Sequence, residues 1–116
     1  MLALPGVRNL VLSNVIDQAL SPKARVREPA IRALKAIRLF AVERLKRELF
    51  VARERKKRRQ LVELLGQVSA VYDVLVIMVL GEIAQNRHDH AIVRKAAREA
   101  LRRVDPKYEP SAVQAI

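Results

Sequence analysis

No cysteine occurs among the 116 residues. That absence removes disulfide frameworks, thiolate nucleophiles and thiolate zinc sites, and it suits a reducing compartment. Turn formers are scarce: there are three glycines and five prolines, four of the prolines towards the ends. A many-stranded sheet would need turn residues roughly every ten positions, so the shortage favours helices. Aromatic side chains make up 3%. The core must therefore be built from Leu, Val, Ile and Ala, and base-stacking aromatic platforms are not expected. The isolated Gly6, Gly66 and Gly81 form no phosphate-cradling loop, and none of Ser13, Ser21, Ser69 and Ser111 sits in a Gly-flanked nucleophile elbow.

Long apolar runs are missing as well. The most apolar stretch, "VYDVLVIMVLGEIA" at 71 to 84, contains Asp73 and Glu82 and is too short to span a bilayer, so it reads as a buried helix. The start, "MLALPGVRNL", lacks a basic segment followed by a continuous apolar run. No secretory signal is expected, and the location expected is intracellular, in the cytoplasm.

Hydrophobic residues account for 51% of the chain and charged ones for 30%, which excludes a disordered chain and suits one domain. The formal net charge is +11, and its distribution is uneven. Residues 23 to 60 hold 15 Lys/Arg against 4 Asp/Glu, whereas the remainder holds 8 against 8. A field concentrated in one third of the chain suits a polyanion or an acidic protein surface.

Three segments superimpose without gaps: "VREPAIRALKAI" (26 to 37), "KRRQLVELLGQV" (57 to 68) and "VRKAAREALRRV" (93 to 104). Each has Arg second, as Arg27, Arg58 and Arg94. Apolar residues then recur at Ala30, Ala33, Leu34, Ile37; at Leu61, Leu64, Leu65, Val68; and at Ala97, Ala100, Leu101, Val104. This spacing puts each set on one helical stripe. An apolar segment precedes each, at 7 to 20, 39 to 52 and 71 to 85, and the spacing of the three units is that of a stacked-helix array. The sequence thus predicts three helix pairs, about 7–37, 39–69 and 71–104, in a domain spanning 1–105 with a tail at 106–116. Ser21 is the expected helix cap, with Pro22 at the first turn that follows it, and Pro29 is expected in the first turn of its helix, the segment from 26 to 37. Nothing breaks the helix between 37 and 39, so one helix from 26 to about 58 is the alternative.

The pattern V-R-x-x-A-x-x-A-L-x-x-I, preceded by an apolar helix and a polar turn, resembles the second helix of a HEAT or HEAT-like (phycobilisome-lyase type) repeat. The resemblance covers about residues 7 to 104. It implies an all-α fold, a short right-handed αα-superhelix of the ARM/HEAT kind, acting as a binding module or scaffold. Such repeats commonly carry Asp in the turn before the Arg. Only Asp89, before Arg94, fits that pattern, and no inter-repeat Asp–Arg ladder is expected.

In this register "RERKKRR" falls in the turn of the middle pair, and equivalent turns line up along one edge. The candidate ridge comprises Lys23, Arg25, Arg27, Arg53, Arg55, Lys56, Lys57, Arg58, Arg59, Arg87, Arg94 and Lys95. It suits an acidic protein partner or, alternatively, sequence-independent tracking of DNA or RNA phosphates. A solubilising loop is the plainer alternative. His88 and His90 lack a third ligand at suggestive spacing and lack the adjacent Glu of metal-binding HEAT-type hydroxylases, so neither metal nor cofactor is expected. Asp17, Glu63, Asp73 and Glu82 are expected on solvated faces, and the chain reads as non-enzymatic. The run Val74 to Leu80 is apolar on every side. It is expected either to lie under the tail or to offer Val74, Ile77 and Met78 to a partner helix or a second copy.

Overall fold

The computed structural model describes residues 5–108, with side chains from residue 11 onwards. These residues form six helices and no strand: α1 (Pro5–Ala19), α2 (Ala24–Ala36), α3 (Arg38–Val51), α4 (Arg55–Val68), α5 (Val74–Gln85) and α6 (Ala91–Val104). The all-helical class expected from the scarcity of turn formers is what the chain adopts. The part of the tail from 109 to 116, expected to cover α5, lies outside the described residues.

Consecutive helices pack as α1 on α2, α3 on α4 and α5 on α6. The second helices then meet one another, α2 with α4 and α4 with α6. The equivalent leucines Leu34, Leu65 and Leu101 are all buried, in a core of Leu, Ile, Val and Ala that runs through all three pairs. Ala33 and Ile37, expected on the same stripe, are exposed instead. The stripe of α2 is therefore narrower than those of α4 and α6.

The contact between α4 and α6 is the most extensive, and small residues allow it. A Cβ placed on Gly66 would lie 2.7 Å from the Ala100 Cβ and 3.1 Å from its Cα, so only glycine permits this approach. The stacked helices make an elongated body, 53 × 27 × 27 Å.

Chain breaks account for most departures from the sequence expectation. The continuous helix from 26 to 58 does not form: Ile37 leaves helical geometry (φ −114°, ψ 41°) and ends α2. Its N–H donates to the Leu34 carbonyl at 3.2 Å, three residues back, while its carbonyl accepts the first bond of α3, from Ala41 N–H at 3.0 Å. No glycine or proline is used. The break yields two helices that pack on different neighbours, α2 on α1 and α3 on α4.

The start of α2 is also later than expected. Lys23 holds the cap position without a side-chain hydrogen bond, while the Ser21 Oγ accepts from Lys23 N–H at 3.2 Å. Pro29 nevertheless lies inside α2 rather than in its first turn, because the helix already runs from Ala24. It deprives the Arg25 carbonyl of its helical donor, and that carbonyl is left to solvent at an exposed position.

Asp73, expected on a solvated face, is half-buried as the cap of α5. Its Oδ1 accepts the Val76 N–H at 3.2 Å, an arrangement worth about 1 kcal/mol. The preceding Tyr72 has φ 69°, left-handed for a bulky residue, which costs roughly 1–2 kcal/mol. Its N–H donates to the Val104 carbonyl at 2.7 Å, which ties the α4–α5 joint to the end of α6.

Candidate functional site

A helix pair has two ends. At one end lies the turn within the pair; at the other lies the joint to the next pair. The run of cations falls at the first kind of end, though not wholly in a loop. The turn of the middle pair is Ala52–Glu54, and Arg55 to Arg59 form the opening of α4. No acidic side chain occupies that first turn. The positive end of the helix dipole and the lysines and arginines therefore add to a single positive field.

Three turns meet along this edge. Ser21, Pro22 and Arg27 of the first pair share a groove of about 370 Å³ with Lys56, Arg59 and Gln60 of α4. Phe50, Ala52 and Arg53 of the middle pair share another, of about 360 Å³, with His88, Asp89 and His90 of the third. Each of these turns thus borders the next pair.

The cations on this edge do different jobs. Arg58, expected to reach phosphate, is turned inward. Its Nε donates to Asp89 Oδ1 at 3.1 Å and its Nη2 to Oδ2 at 2.6 Å, while its Nη1 donates to the carbonyls of Leu49 and Ala52 at 2.8 and 2.9 Å. The Asp89 side chain is 6% exposed. One guanidinium thus closes the C-terminal carbonyls of α3 and staples the third pair to the second with a bidentate pair.

No inter-repeat Asp–Arg ladder was expected, and this pair is one rung. Its counterpart between the first and second pairs is missing because Arg53 stands where an Asp would be needed. Arg27 makes only the backbone half of the arrangement. Its Nη1 donates to Ser21 and Pro22 carbonyls, each at 3.2 Å, and its Nη2 lies 3.6 Å from Glu28. Arg94 is half-buried, with its Nε out of reach of any acceptor among the described residues. These three arginines belong more to the fold than to a ligand.

The other positions are available. Lys23, Arg25, Arg53, Arg55, Lys56, Arg87 and Lys95 are exposed and Lys57 is half-buried, and none of them joins an ion pair among the described residues. Arg59 is loosely held, 3.5 Å from Glu63. His88 and His90 are exposed, and no group of three potential ligands near them, or elsewhere among the described residues, could hold a metal ion.

Two apolar residues belong to the same edge and escaped the sequence reading. Phe50 is 89% exposed and Val51 is 71% exposed, and Phe50 lines the groove with Arg53, His88 and His90. The signal is an unbroken "LFVA" that abuts the basic run at the end of the apolar segment 39 to 52. On α5, Val74 and Met78 are exposed as expected of a partner surface, whereas Ile77 is half-buried against the core and Leu75 stands out in its place.

No protein-family model, curated protein or solved structure matches this chain.

Proposed function

We propose that this chain is a short HEAT-like αα-solenoid of three helix pairs that works without catalysis, as a binding module or scaffold whose basic edge docks on an acidic protein surface. The solenoid reading is supported by the stacking of α2, α4 and α6 and by a repeated bond. Arg27 and Arg58, equivalent in register, each donate to the carbonyl six residues back, Ser21 and Ala52.

One observation carries the choice of partner. The fully exposed Phe50 stands inside the basic edge, beside Arg53. Protein interfaces combine a few buried aromatic anchors with a charged rim, whereas phosphate tracking needs only the cations. An acidic segment carrying an apolar residue would fill the Phe50 groove and meet Arg53, Arg55, Lys56 and Lys57 around it.

Binding titrations at two salt concentrations separate this reading from DNA or RNA binding. The probes are an acidic peptide with apolar residues interspersed, poly-glutamate, and duplex DNA of mixed sequence. The proposal expects the first to bind best and Phe50→Ala to weaken it about tenfold or more, the scale of an interface anchor. Lys56→Gln with Lys57→Gln should weaken binding most at low salt and flatten its salt dependence. Duplex binding that outlasts Phe50→Ala, with a log–log salt slope near −0.9 per phosphate contact, would replace the protein partner with nucleic acid.

A further inference from the structure

The opposite edge of the molecule, where the joints between pairs lie, is apolar. Ile37, Leu39 and Phe40 in the first joint are exposed, as are Val71, Tyr72, Val74 and Leu75 in the second. Leu39 is 83% exposed and Leu75 60%. The two joints are neighbours in space. Arg38 of the first donates from Nε to the Val68 carbonyl, just ahead of the second, at 2.8 Å. Val71 shares a groove with Lys35 and Arg103. Tyr72, held in its left-handed conformation by the Val104 carbonyl, displays an exposed ring beside the end of α6.

Cations surround this apolar edge. Lys35 ends α2, Arg38 begins α3, Arg102 and Arg103 end α6 and Lys107 follows; all five are exposed. The nearby carboxylates are engaged locally: Asp73 caps α5, and the Asp105 Oδ1 accepts the Lys107 N–H at 3.0 Å. A second copy placed on this edge would bring the same five cations against one another. A surface with anionic groups over an apolar layer satisfies both features at once.

We infer that this edge docks peripherally on an anionic lipid bilayer. Leu39, Val74 and Leu75 enter the boundary between headgroups and acyl chains, Tyr72 lies at headgroup level, and the surrounding Lys and Arg meet lipid phosphates. No helix among the described residues is long and apolar enough to cross a membrane, so the protein lies on the surface. The basic edge on the far side stays open to its partner, and the lipid reading does not depend on what that partner is.

The test uses the full chain in sedimentation with vesicles of phosphatidylcholine alone and of phosphatidylcholine with phosphatidylserine. Binding should require phosphatidylserine and should survive in part at about 1 M salt, where exposed charges are screened within roughly 3 Å. Leu39→Ser with Leu75→Ser leaves the charge unchanged and alters exposed positions only. It should lower partitioning about tenfold or more. In a separate Leu39→Trp variant, the indole fluorescence should shift to the blue and be quenched by brominated acyl chains. Absence of wild-type binding, equal binding by the double Ser variant, or an unquenched indole each overturns the proposal. Dimerisation abolished by the double Ser variant, without vesicle binding, would assign the edge to a second copy instead.

Discussion

The junction between the second and third helix pairs is close and stapled, whereas that between the first and second is sparse. α4 meets α6 over a long contact made close by Gly66 and Ala100. α2 meets α4 over a slighter one, with an open groove of about 720 Å³ lined by Ile31, Lys35, Gln67 and Ser69 among others. The polar links differ in the same sense. Arg58 grips Asp89 with two nitrogens, whereas between the first and second pairs, among the described residues, a side-chain hydrogen bond runs from Arg44 Nη2 to Ser13 Oγ at 2.6 Å. A repeated helical pattern thus fixes what each pair buries internally. How tightly pairs stack is decided by a few positions outside the pattern: glycine in α4 faces α6, while Lys35 stands at the corresponding place in α2.

The largest effect that would test this difference comes from the shared helix. Leu65 is fully buried in α4, and Leu65→Ala should cost about 2–5 kcal/mol in denaturant unfolding, through lost burial and a cavity. Both junctions should weaken together, so a small cost would remove α4 from the centre of the core. Next comes Gly66→Val, which presses a branched side chain against the Ala100 backbone and should cost about 1–3 kcal/mol. The contrasting change, Lys35→Ala at an exposed position, should stay within about 0.5 kcal/mol. Equal costs at the two positions would erase the distinction between the junctions.

The two polar links should differ as their geometry does. Asp89→Asn removes the charge opposite a mostly buried guanidinium and should cost about 1.5–3 kcal/mol, whereas Ser13→Ala should cost about 0.5–1.5 kcal/mol. Thermal unfolding of the two variants at one pH gives the comparison directly.

The smallest effect concerns Glu43 on α3, away from either junction. The Lys46 ammonium, hydrogen-bonded to it at 2.8 Å, holds its carboxyl below the usual carboxylate range. A lowered folded-state pKa means stability that is present above the unfolded value, about 4.3, and lost as pH falls through the folded one. Because the pair is exposed, Glu43→Gln should change stability by less than about 1 kcal/mol at neutral pH, and by less still near pH 3. A larger loss, or one that grows in acid, would contradict this.

Much of the helical layout was legible because it depends on local periodicity. Leu34, Leu65 and Leu101 repeat at fixed register, and so do the arginines that close the turns. The break at Ile37 was not legible, since it separates the packing of α2 on α1 from that of α3 on α4, which no local residue marks. Nor was Pro29 inside α2, because that helix takes in Ala24 and Arg25 ahead of the repeated segment. At the candidate site the clustering of cations was legible in the basic run itself. The removal of Arg58 from the exposed cations was not legible, since its partner Asp89 lies in a turn outside the repeated segments. A charge pattern shows where cations cluster; only packing shows which of them are already engaged. Phe50 escaped for the converse reason, since an apolar residue at helical spacing is assigned to the core until the neighbouring helix fails to cover it.

The unequal stacking is tested most directly by hydrogen exchange of the native chain, followed amide by amide under conditions that favour folding. The account predicts that amides of α4, α5 and α6 share the highest protection and exchange through one global opening, while those of α2 and of α1 from residue 11 exchange earlier through a separate, lower-energy opening of the first pair. Equal protection across all three pairs, or a third pair that opens before the first, would contradict it.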